Sequence, residues 1–98
     1  MFVEIKKSTN PKKKLMAIFY DDNKKKIKTI HFGSAGMSDF TIHKDKERKK
    51  RYLSRHQKRE NWTIPMTAGS LSRWILWDKP DLQKSINAYM KRFKLKKY

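Results

Sequence analysis

Three residues that can hold a metal or move a proton alternate along one stretch: His43, Asp45 and Glu47. On a strand they would share a face and form a ligand set. The segment reads instead as a helix start, which splays them. The remaining histidines, His31 and His56, lie 12 and 13 positions from His43, so no pair at i, i+4 could grip a metal from one helix. Cysteine is absent, which excludes thiolate zinc sites, thiol nucleophiles and disulfides. Nine carboxylates are present, and most fall where a turn or a helix cap uses them; a two-metal nuclease would need several to converge. Ser34, Ser38 and Ser54 have no base at a nucleophile's spacing. No catalytic residue, metal or cofactor is therefore expected, and the protein reads as a non-enzyme.

Gly33-Ser34-Ala35-Gly36 resembles a phosphate-cradling loop, but no Lys-Ser/Thr pair follows. Its main reading is a flexible exit from a strand; the alternative is a backbone anion nest beside the basic segment. Trp74 reads as core by helical period. Trp62 and Trp77 are open between core and a platform for stacking on an unpaired base, with burial favoured.

The sharpest signal is cationic. The chain has 98 residues, with 26 Lys and Arg against nine acids, a formal charge of +17. Residues 44–60 hold nine of those cations against Asp45, Glu47 and Glu60, a net of +6 in 17 positions. The flanking regions are basic too, so the charge is no detachable tail. Such a field opposes compaction and calls for a polyanionic partner. Cations at i, i+3 and i+4 repel one another, and phosphate contacts would relieve them. Lys44, Lys46, Arg48, Lys50, Arg51, Arg55, Lys58, Arg59 and Arg73 are the expected nucleic-acid contacts. The arginines favour bidentate forks on phosphate oxygens.

These residues need elements to position them. A length of 98 residues suits one α+β domain, 1–98, ending in a short basic tail at 94–98. Alternation predicts a three-stranded antiparallel meander over about 2–7, 14–20 and 25–32. The middle strand is apolar on both faces, as a central strand should be. Asp21-Asp22-Asn23 supplies a turn tolerant of left-handed backbone. Helices follow over about 45–59, capped by Asp45, about 70–77, capped by Ser70, and about 80–93, opened by Pro80. Lys49, Tyr52, Leu53 and His56 form a stripe that can dock the basic helix on the sheet. Phe19, Ile30, Leu53, Trp74, Ile75, Leu82 and Ile86 are the expected buried residues. The longest uncharged apolar run, Leu15 to Tyr20, is too short to span a membrane, and Met1-Phe2-Val3-Glu4 does not open a signal peptide.

Two blocks carry a resemblance. The first runs from His31-Phe32-Gly33-Ser34-Ala35-Gly36-Met37-Ser38-Asp39-Phe40-Thr41-Ile42-His43-Lys44-Asp45 through the basic segment to Glu60-Asn61-Trp62. The second is Thr67-Ala68-Gly69-Ser70-Leu71-Ser72-Arg73-Trp74-Ile75-Leu76-Trp77-Asp78-Lys79-Pro80. With them the chain from Lys12 to Phe93 resembles a family of short basic proteins encoded by nucleocytoplasmic large (giant) DNA viruses. The resemblance implies a viral origin and a compact domain, and it transfers no site residue. The expected function is sequence-independent nucleic-acid binding, DNA favoured over RNA, in genome packaging or the virion interior. The alternative is a minor capsid or cement protein whose basic surface binds acidic shell proteins. Either places it in the virion and the infected cell's interior (virus factory or nucleus) rather than among secreted proteins.

Overall fold

The computed structural model describes residues 1–98. Three strands, β1 (Phe2–Lys7), β2 (Lys13–Tyr20) and β3 (Lys26–Ser34), form the meander. β2 is central: it pairs antiparallel with β1 (Val3 opposite Phe19, Lys7 opposite Leu15) and with β3 (Leu15 opposite Phe32, Ala17 opposite Ile30). The β1–β2 turn is held by side chains, with the Ser8 Oγ accepting from the Asn10 amide and the Asn10 side chain from the Lys12 amide, both at 2.9 Å. In the β2–β3 turn the Asp21 carboxylate accepts the Asn23 and Lys25 amides at 2.9 Å. The left-handed residue there is Lys24 (φ 62°), one position beyond the Asp-Asp-Asn run in which it was expected.

The tail is a correction. Lys96–Lys97 forms a short fourth strand, β4, parallel to β1 on its outer edge, which gives the order β3-β2-β1-β4. The Lys96 amide donates to the Met1 carbonyl (3.0 Å) and the Tyr98 amide to the Val3 carbonyl (3.1 Å). The Tyr98 ring then stacks on Tyr20 with centroids 3.6 Å apart. Basic composition at 94–98 concealed these pairings because they are made by the backbone.

Four α-helices accompany the sheet, with one π-helical turn. The first, α1 (Phe40–His43), was not expected, since four residues show no periodicity. Tertiary contacts hold it: the buried Asp39 caps the Thr41 amide at 2.9 Å and receives Lys14 Nζ at 2.5 Å. α2 (Lys46–His56) starts at the expected Asp45 cap but ends three residues short of Arg59. α3 (Ala68–Leu71) is capped by Thr67 rather than Ser70, which is buried and donates to the Asn61 carbonyl at 3.0 Å. It runs directly into a π-helical turn, Ser72–Leu76, closed by the Trp77 amide on the Ser72 carbonyl. α4 (Leu82–Arg92) is capped by Asp81, leaving Pro80 outside.

The core lies between one sheet face and the α3, π-turn and α4 layer. Val3, Ala17, Phe19 and Phe32 meet Leu71, Ile75, Leu76 and Tyr89. Of the expected buried residues, Phe19 and Ile75 are fully enclosed, while Ile30, Leu53, Trp74 and Ile86 are half-buried. Leu82 is exposed, because the packed face of α4 begins at Ser85 and Ile86. Gly33 marks where the layers press closest. Its φ is 78°, and a Cβ there would lie 2.7 Å from Leu76 Cδ1. Gly33→Ala should therefore cost about 2–4 kcal/mol, combining left-handed strain with overpacking. Thermal denaturation checks this, and an unchanged melting temperature would mean that the two layers are not in contact there.

Candidate functional site

The basic helix is positioned by its inward stripe. Tyr52 is buried and lies parallel to Trp77, with ring centroids 4.2 Å apart and planes 2° apart. On its own helix it stacks with His56 at 4.2 Å, and His56 Nδ1 sits 3.2 Å from the Glu60 carboxylate. Burial pushes the Tyr52 hydroxyl's pKa well above the ordinary tyrosine value. One turn earlier, Lys49 Nζ donates to the Asp78 carbonyl at 2.6 Å and sits 5.0 Å from the Phe40 ring centroid. Desolvation holds its pKa below the usual lysine range. The stripe therefore docks on Trp77, Asp78 and α1. The expected support was the sheet.

The outward face is what that docking leaves. Lys44, Lys46, Arg48, Lys50, Arg51, Arg55, Lys58 and Arg59 are all exposed, and Lys49 alone among the nine cations of residues 44–60 turns inward. Arg73 stands apart from this group. Its side chain is 13% exposed, its guanidinium carbon lies 4.1 Å from the Trp74 ring centroid, and Nη1 reaches the Trp77 carbonyl and Asp78 at 3.4 Å. Burial lowers its pKa first, with Asp78 opposing. Arg92 approaches the same indole at 3.6 Å, and Trp74 Nε1 donates to the Trp62 carbonyl at 2.9 Å. Arg73 thus serves packing, and only the other eight of the named residues form one accessible cationic surface. Trp62 and Trp77 are both half-buried, and Trp77 has a ring face committed to Tyr52.

His43, Asp45 and Glu47 do not gather. Asp45 caps α2, its amide is accepted by His43 Nδ1 at 2.9 Å, and no group of three His, Asp or Glu side chains could hold a metal ion. What the sequence did not single out is a cleft of about 350 Å³ at the end of the sheet. Lys13 and Lys14 enter it from β2, Ser38 and Asp39 from the loop before α1, Arg55 and His56 from α2, and Ser72 from the π-turn. Lys12-Lys13-Lys14 was the available signal, a cation run at the head of the strongest strand.

Fold and surface together define a small α+β protein that carries an unneutralised cationic helix on its flank. The chain belongs to DUF5754, a family of unknown function, whose model matches residues 3–56, from β1 to the end of α2. No curated protein and no solved structure matches it.

Proposed function

We propose that the protein is a non-enzymatic, sequence-independent nucleic-acid-binding protein of a large DNA virus, acting in genome packaging or the virion interior. The observation that carries the binding role is the outward face of α2 and its flanks, where eight cations of residues 44–60 are exposed, five of them on the helix itself, and only Lys49 is drawn into the body. Like charges crowded on one helix raise the free protein's energy, and a phosphate backbone lowers it by releasing counterions. The viral setting rests on the resemblance of the two sequence blocks, and DNA is favoured over RNA on that ground. Phosphate contacts position a protein without reading bases, so affinity should vary little with sequence.

The test is an anisotropy titration with duplex and single-stranded probes across a salt series. With about six phosphates neutralised, log K against log salt should slope near −5 on duplex DNA. A flat salt response, or no binding at low salt, would sink the proposal. The second reading is a cement protein for acidic shell proteins. One observation favours it: Met37 and Ile42 are 65% and 62% exposed, and they share a surface hollow with Lys7 of β1 and Lys13 and Lys14 of β2. Such a contact would persist at high salt and resist competition by heparin.

A further inference from the structure

We propose that the cleft at the end of the sheet is a separate phosphate-ester site, sized for one nucleotide unit and clamped between Lys13 and Arg55. The proposal goes beyond the helix face, and its source of phosphate rests on the nucleic-acid reading. The cleft's volume of about 350 Å³ lies at the small-ligand end of the range for binding pockets. Both of its acids already have partners within the fold. Asp39 receives Lys14 Nζ at 2.5 Å, and Glu60 faces His56 at 3.2 Å and Trp62 Nε1 at 3.4 Å. Glu60 is also wedged against Gly69, where even a Cβ would collide with its carboxylate.

Lys13 and Arg55 remain exposed, engage in no ion pair, and enter the cleft from different elements. Two cations brought together from different elements suit a phosphate oxygen cluster, with Arg55 supplying the planar fork and Lys13 the point charge. The Ser38 and Ser72 residues add hydroxyls to the lining. Arg55 belongs both to the cleft and to the α2 face, so a strand tracking the helix could place a phosphate in the cleft without leaving the cationic surface. The ring faces of Tyr52 and Trp77 that meet each other are not free to take a base, which makes the phosphate the recognised group.

The test uses the full chain, labelled with ¹⁵N, and thymidine 5′-monophosphate as probe. The amides of Lys13, Gly33, Ser38 and Ser72 should shift saturably while those of Arg48 and Arg51 hold still. Lys13→Gln, a change at an exposed side chain, should weaken the nucleotide at least tenfold and reduce the duplex salt slope by no more than one unit. Shifts spread evenly along α2, no shifts, or an unchanged affinity in Lys13→Gln would each overturn the proposal. A competition arm separates the sources of phosphate: a 5′-phosphorylated single strand that displaces the nucleotide better than its 5′-hydroxyl counterpart identifies a strand end, equal displacement by both identifies a phosphate within the strand, and displacement by neither identifies the free nucleotide. Nucleotide binding without duplex binding would retain the cleft and remove the nucleic-acid reading; duplex binding alone would do the reverse.

Discussion

Replacing Arg48, Arg51 and Arg55 together by Gln should weaken duplex DNA binding by about 10²-fold at 0.1 M salt and flatten the salt slope by two to three units. Each lost phosphate contact returns about 0.9 counterion, so three contacts account for that change without any base-specific term. The loss should be the same on every probe sequence. All three side chains are exposed, and none has an ion-pair partner within the fold. Their removal relieves repulsion of a few tenths of a kcal/mol per pair, so the melting temperature should hold or rise by a few degrees. A variant that binds with the parent's affinity and slope would show that α2 is not the contact surface, and the cement reading would then lead.

The largest stability effect is expected at Tyr89. Its ring is fully buried between α4 and the sheet, and its hydroxyl donates to the Pro65 carbonyl at 2.8 Å, which ties the loop before α3 to the core. Burial also drives its pKa far above the ordinary tyrosine value, so the hydroxyl stays a donor throughout the physiological range. Tyr89→Phe should cost about 1–2 kcal/mol by leaving the Pro65 carbonyl without its partner. Tyr89→Ala should cost about 3–5 kcal/mol, a large share of the 5–15 kcal/mol typical of a domain. For about 100 residues each kcal/mol moves the melting temperature by about 4–8 °C, so circular dichroism melts resolve both variants. A Phe variant that melts with the parent would remove the hydroxyl's role, and a loss below about 1 kcal/mol in the Ala variant would take Tyr89 out of the core.

The meander was legible because β2 writes its position in its residues: Leu15, Ala17 and Phe19 on one face, Met16 and Ile18 on the other, all drawn inside or partly so. The start of α2 was legible for a local reason too, since Asp45 caps amides only two and three positions away. What escaped the sequence depends on partners distant along the chain. α1 is fastened by Lys14, 25 residues from Asp39. Arg73 looks like a surface cation until Trp74, Asp78 and Arg92 close around it. The cleft draws its lining from four segments, so no window of sequence contains it. Leu82 erred in the other direction, since helical spacing names a stripe without saying where packing begins.

The slender attachment of α2 makes the helix a separable opening unit. It is joined to the body through the Tyr52–Trp77 stack, Lys49, the half-buried Leu53 and the turn around Glu60, whereas β2 is hydrogen-bonded on both sides. Its amides should thus exchange with solvent deuterium sooner than those of Ala17 or Phe19. Ionic strength then acts on this unit in two opposite senses. Added salt screens the helix's own repulsion and slows its opening in the free protein, while the same salt loosens the polyanion that would otherwise hold it shut. Protection of the α2 amides against salt should accordingly rise in the free protein and fall in its complex, and the two curves should converge once the polyanion has dissociated.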